Sequence, residues 1–222
     1  MMKKLVQLAW IAVVLCSTVG APAGGTEIVA VLERSQAMRL ESFAQAEAQG
    51  PRALIVRGSF DRLVQSAGSN APVELRVVSG AVIAECLLGR VVVANESLAD
   101  LDEPVRMFLL AHELGHVALG HWQRLTQLYA RYVPGAVAPR NTDAVADALL
   151  SEASHLSVQH ELQADAFALD LLRSLGYPLE DMLGAFFVNG MQRDTSTHPG
   201  TGKRVAHLRS LAERGPGAPA PG

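Results

Sequence analysis

Residues 109–119 read LLAHELGHVAL, and the fold and chemistry follow from how that stretch is read. His112-Glu113-Leu114-Gly115-His116 is an HExxH motif. On a helix, residues four apart stand one turn above each other on the same face, so the two imidazoles converge and can share one zinc ion. Glu113 follows the first histidine, and its carboxylate reaches a water at the metal rather than the metal itself. Zinc lowers the pKa of such a water to about 7, and a nearby carboxylate can take its proton. Residue frequencies alone produce the motif in roughly one chain of this length in a hundred. The alternative, a surface helix carrying two histidines, is opposed by the flanks. Phe108, Leu109, Leu110 and Ala111 precede the motif and Val117, Ala118 and Leu119 follow it. Three ionisable groups in so apolar a helix are costly without a partner.

A catalytic zinc needs a third protein ligand and one open position. His121 lies five residues after His116, off the shared face. The longer HExxHxxGxxH pattern is absent, because Leu119 and Trp122 stand where its glycine and third histidine belong. The better candidate is Glu161, in the run ELQADA at 161–166. Glu161 and Asp165 share a helix face with Ala164, Ala168 and Leu172, and carboxylates on a small-residue face want a partner. Glu161 can ligate zinc, while Asp165, one turn on, can accept the free ring N–H of a zinc histidine and fix its tautomer. His155 and His160 are rival ligands. His160 points about 100° away from Glu161 on a helix, and both read as surface or structural histidines, as does His207.

The rest of the chain places this helix in an α+β arrangement. Thr26 to Gln49 reads as a helix with Ile28, Leu32, Met38 and Phe43 on one face, stopped by Gly50-Pro51. Residues 53–57 (ALIVR) read as a short β run, with Ser59 capping a small helix that carries Phe60, Leu63 and Val64. Strands are expected over 73–78, 81–87 and 90–94, with Ser79-Gly80 a turn and Gly89 a break. Asp102 is the expected N-cap of the HExxH helix, with Glu103 and Pro104 in its first turn. Pro134 to Asn141 reads as a loop. Further helices are expected over about 155–175, 180–191 and 202–213.

The 222 residues, 49 % hydrophobic and 18 % charged, suit one globular domain. A net charge of −3 argues against a nucleic-acid surface. Residues 1–23 read as a secretory signal: Lys3 and Lys4, the apolar run LVQLAWIAVVLC at 5–16, then Ala21-Pro22-Ala23 as cleavage site. That run is short for a bilayer, which needs about 20 residues, although retention as an anchor is the alternative. Cys16 follows Leu15 rather than the small residue a lipid-attachment site wants. Signal removal leaves Cys86 the only cysteine, hence no intrachain disulfide. The expected mature domain is 24–214, followed by a Pro/Gly tail at 215–222, with no stable membrane insertion. Export is expected, to the periplasm or beyond the cell.

These blocks together resemble the HtpX-like and CAAX-prenyl-protease-type zinc metallopeptidases, the gluzincin group that includes Oma-type and periplasmic quality-control proteases. The matching pieces are LLAHELGHVALGH at 109–121, ELQADAFALDLLRSLGYP at 161–178, and Ser196-Thr197-His198-Pro199 followed by Arg204. In order they span about residues 73 to 211. The resemblance implies a mainly helical zincin-like domain with a small sheet before the HExxH helix. It implies one zinc ion held by His112, His116 and Glu161, Glu113 as general base, and His198 and Arg204 near the site. It also implies that the strand region 81–94 offers an edge to a polypeptide bound in extended form. His198 is a candidate oxyanion donor, or a group that occupies the open zinc position and holds the enzyme inactive. Arg204 either anchors the His198 loop or pairs with an acidic neighbour. Three functions follow: an exported zinc endopeptidase acting on unfolded or misassembled envelope proteins, a non-catalytic polypeptide binder resembling a chaperone, and a zinc-stabilised structural domain. The natural substrate, its cleavage preference and the oligomeric state are not written in these residues.

Overall fold

At the centre lies a single helix, α3 (Glu103–Ala118), whose hydrophobic residues run almost all the way round. Val105, Met107, Phe108, Leu110, Ala111, Leu114 and Val117 are all buried, as a helix enclosed by its neighbours requires. The computed structural model describes residues 26–68, 72–188 and 190–214. The expected signal and tail lie outside the described residues. Among the described residues, no helix is long and apolar enough to cross a membrane.

The chain opens with α1 (Glu27–Glu41) and α2 (Pro51–Ala67). Both correct the sequence reading. The first helix ends eight residues earlier than expected, at Glu41, and Leu40 is its buried residue, while Met38 is exposed. Residues 44–46 instead run extended along β1, with Ala46 N–H donating to Val77 and Ser79 N–H to Ala44. The expected β run at 53–57 is the start of α2. Pro51 sits at its first turn, where its fixed φ and missing N–H suit a helix. Ala53, Val56, Phe60 and Leu63 are buried at helical spacing. Local β-branching was outweighed by that periodicity.

Three strands follow: β1 (Glu74–Val78), β2 (Ala84–Leu87) and β3 (Val91–Asn95). The order is β1-β3-β2, with β1 parallel and β2 antiparallel to β3. β3 is central and buried throughout. The outer edge of β1 is taken by residues 44–46, so β2 is left as the edge that faces the groove described below. A short 3-10 turn, Glu96–Asp100, leads into α3.

Gly120, at φ 65°, ends α3 in the left-handed conformation that glycine adopts at low cost. The chain then restarts as α4 (His121–Tyr132), which the sequence reading did not separate from α3. A short α5 (Pro139–Thr142) precedes the long α6 (Ala146–Ser174), which begins nine residues before its expected start. The expected helix at 180–191 is only α7 (Leu179–Met182) and a 3-10 turn to Phe187. The last helix is α8 (Thr201–Arg214). The result is a mainly helical α+β fold with a small sheet.

The packing that matters most is α3 against α6. A Cβ built on Gly115 would stand 3.3 Å from the Ala164 Cα and carbonyl oxygen and 3.0 Å from the Phe167 ring. Glycine at that crossing lets two backbones approach closely. Ala164, Ala168, Leu169 and Leu172 of α6 are wholly buried around it. The histidines of one helix and the carboxylates of the other are therefore brought together by the core itself.

Candidate metal centre

His112 and His116 project from the same face of α3, and Glu161 meets them from α6. Their ligating atoms all lie within 4.8 Å of one another, so the three residues could hold a metal ion. The two Nε2 atoms are 3.1 Å apart. Glu161 oxygens stand 3.6 Å from His112 Nε2 and 3.4 Å from His116 Nε2. Ligand atoms about 2.0–2.1 Å from a tetrahedral zinc are roughly 3.3 Å from each other, so these separations fit a metal.

The protons of His112 support that fit. Its Nδ1 lies 2.9 Å from Asp165 Oδ1. Asp165 is fully buried and its oxygens also accept from Arg204, at 2.8 Å from Nε and 2.6 Å from Nη2. An ionised carboxylate can only accept, and Asp165 at 2.9 Å lies nearer to His112 Nδ1 than Arg204 Nη2 at 3.3 Å, whose N–H is already given to Asp165, so the proton of His112 sits on Nδ1 and Nε2 is a bare lone pair aimed at the cluster. Burial alone would raise the Asp165 carboxyl, but the bonds from Arg204 and His112 hold it below the usual range. Burial likewise acts against ionised Glu161, yet His116, His112 and His198 hold it well below the usual carboxylate range. Both acids are thus anions at neutral pH, as metal binding on one and histidine orientation on the other require.

Glu113 lines the groove beside the cluster. Burial pushes its carboxyl up to about 7, opposed by His112 and reinforced by Glu161. A group that titrates near neutrality can both take and return a proton. His198 is exposed, with Nε2 3.8 Å from Glu161 Oε1. Its loop is tied down internally: Thr195 Oγ1 accepts from His198 N–H at 2.9 Å, and Thr197 Oγ1 lies 2.9 Å from His198 Nδ1. Arg204, from α8, also reaches Glu161, at 3.5 Å. Every residue picked from the sequence for this site, including His198 and Arg204, is therefore brought to one place.

The surrounding groove holds about 910 Å³. On one side it is walled by β2, with Cys86 next to Glu113, whose charge adds to burial in raising the thiol. On the other it is walled by Phe186, Thr197 and His198. Helix α1 also lines it, through Leu32, Ser35, Gln36 and Arg39. Arg39 Nε donates to both oxygens of Glu85 on β2, at 2.9 and 2.8 Å, and the Gln36 side chain accepts from Leu88 N–H.

His121, off the shared face on a continuous helix, is brought to the site in the structure. Its Nδ1 lies 2.9 Å from His116 Nδ1, and its Nε2 lies 3.2 Å from Gln163 Oε1. It also stacks on His160, with ring centres 4.0 Å apart and planes within 6°. Numbered along one continuous helix, His121 faces away from His116. The available signal was Leu119-Gly120, a helix stop that re-aims the next residue. His160 is buried, and it lines the same groove.

Residues 56–212 match Peptidase family M48. The metalloprotease YcaL of Escherichia coli (strain K12) is 29 % identical over 127 residues, which cover 48 % of this chain and 48 % of that protein. The crystal structure of S. mikatae Ste24p superposes with a TM-score of 0.51 at 19 % identity, covering 82 % of this chain and 56 % of that one. The chain thus spans about half the length of these relatives, and the likeness to Ste24p is one of fold.

Proposed function

The chain belongs to peptidase family M48, and on that premise we propose that it is a zinc metalloendopeptidase acting on polypeptides in extended form. The observation that carries the reading is the convergence of His112, His116 and Glu161 at metal-ligand separations with Glu113 beside them on an open groove. One ion per chain would be held by those three residues. When bound, it supplies Lewis acidity, lowering the pKa of water and polarising the scissile carbonyl.

The chain's own groups do the rest. Glu113 takes the proton of the attacking water and returns it to the departing amine, a role suited to a carboxyl pushed towards neutrality. His198 stands at the mouth of the site with its Nε2 towards Glu161, where it donates to the oxygen on which charge develops. Asp165 and Arg204 keep His112 in the tautomer that ligates. The β2 edge (Ala84–Leu87) accepts the substrate as an added strand. Main-chain pairing gives affinity without demanding a particular sequence, which suits unfolded or misassembled chains. An exported enzyme reading envelope proteins fits the expected signal at 1–23. Glu113→Gln tests the reading: bound zinc should remain near one per chain while casein-type digestion is lost. Retained digestion removes Glu113 from its role.

A further inference from the structure

We infer that His121 is a positioning residue that fixes the tautomer of His116, through a chain of bonds running His116–His121–Gln163–Arg124. The inference rests on the metal-binding reading above and deepens it. His112 has a carboxylate behind it. His116 does not: behind its Nδ1 lies the Nδ1 of a second imidazole, 2.9 Å away. Two nitrogens at that distance need one proton between them, and which ring supplies it decides whether His116 can ligate.

The far end of the chain settles the question. Arg124 can only donate, and its Nη1 lies 3.2 Å from Gln163 Oε1. This orients the Gln163 amide with its oxygen towards both Arg124 and His121. That oxygen can only accept, so His121 Nε2, 3.2 Å away, carries a hydrogen. In neutral His121 the Nδ1 is then bare and accepts from His116 Nδ1–H. The near end gives the same answer. His116 Nε2 faces His112 Nε2 at 3.1 Å and Glu161 at 3.4 Å. A metal there needs a lone pair on Nε2, which leaves the His116 proton on Nδ1, directed at His121.

Two features hold His121 to this task. It is 3 % exposed, so water does not compete for its nitrogens. Its ring lies flat on His160, which fixes its plane. The consequence is an asymmetric pair of ligands. His112 is backed by an anion, His116 by a neutral ring. The cluster therefore carries one less negative charge than a site with two carboxylate-backed histidines.

The test is zinc affinity by chelator competition, measured on the metal-free protein without reference to hydrolysis. His121→Phe keeps the stack on His160 and removes the acceptor. His121→Asn puts an amide oxygen near the place of Nδ1. The expected result is a loss of about 10–100-fold in affinity for the phenylalanine variant, the range for losing such a partner, with most of it restored by asparagine. Equal affinity for wild type and His121→Phe overturns the inference. So does His121→Asn binding as weakly as His121→Phe, which marks a packing role alone. Wild-type protein that takes up no zinc refutes the metal reading itself. A readout needing no variant is the 15N spectrum of histidine-labelled, zinc-loaded wild type. Protonated Nδ1 on His116 and protonated Nε2 on His121 are expected, and a protonated Nδ1 on His121 overturns the assignment.

Discussion

Gly115→Ala should weaken zinc binding although it touches no ligand. Gly115 sits between His112 and His116 at the crossing of α3 and α6. The added methyl would stand 3.0 Å from the Phe167 ring and 3.3 Å from Ala164 main-chain atoms. The ring edge can turn aside, but the Ala164 backbone, in the wholly buried part of α6, cannot. The helices must part by a few tenths of an ångström. Replacing glycine inside a helix gains about 1 kcal/mol in propensity. Overpacking a filled core costs typically 1–3 kcal/mol, so the apoprotein should lose about 1 kcal/mol on balance. The zinc site should lose more, because the same crossing sets the distances from Glu161 to the two histidines, 3.4–3.6 Å. Urea unfolding of the apoprotein gives the first quantity and chelator competition the second. A Gly115→Ala protein that is more stable than wild type and binds zinc as tightly would refute the claim that this backbone contact sets the site.

Further outcomes follow from the same contacts. Arg204→Leu leaves Asp165 buried as an anion with only His112 beside it, and should destabilise the apoprotein by about 3–5 kcal/mol in urea unfolding. Glu161→Ala should abolish stoichiometric zinc uptake, read by elemental analysis after gel filtration. Unchanged stoichiometry would name another third ligand. Chelation should stop casein digestion and lower the melting temperature, and added zinc should restore both, since a ligand that binds only the folded state stabilises it. Arg39→Ala removes one of the two ties between α1 and the β2 segment, a partly buried pair contributing up to about 1 kcal/mol. Cleavage of the connection at 42–50 by an added protease should then quicken.

The local elements carrying the chemistry were legible in the sequence, because their signals are local. HExxH needs only helical spacing, and the ELQADA face needs only small residues beside two acids. Strand positions are legible too, since β1, β2 and β3 are separated by turns at Gly80 and Gly89. Errors arose where a tertiary partner decides. Residues 53–57 resemble a strand until α2 is seen to bury Ala53 and Val56 against the core. Residues 44–46 leave the helical pattern because β1 offers them backbone partners. The extra nine residues of α6 bury Leu149 and Ala153 against Leu128 of α4, a contact no local pattern announces. The place of His121 escapes the local pattern for a related reason. One glycine in a left-handed conformation turns it from the far side of α3 to the back of His116.

The account stands on one ion sitting between α3 and α6. The most direct measurement is an anomalous difference map at the zinc edge from crystals of the purified protein. The expected result is a single peak within about 2.0–2.2 Å of His112 Nε2, His116 Nε2 and a Glu161 oxygen, the bond lengths zinc makes with nitrogen and oxygen, with Glu113 close by but outside bonding distance. A peak elsewhere, a peak ligated by Glu113 in place of Glu161, or no peak from zinc-saturated crystals would contradict it.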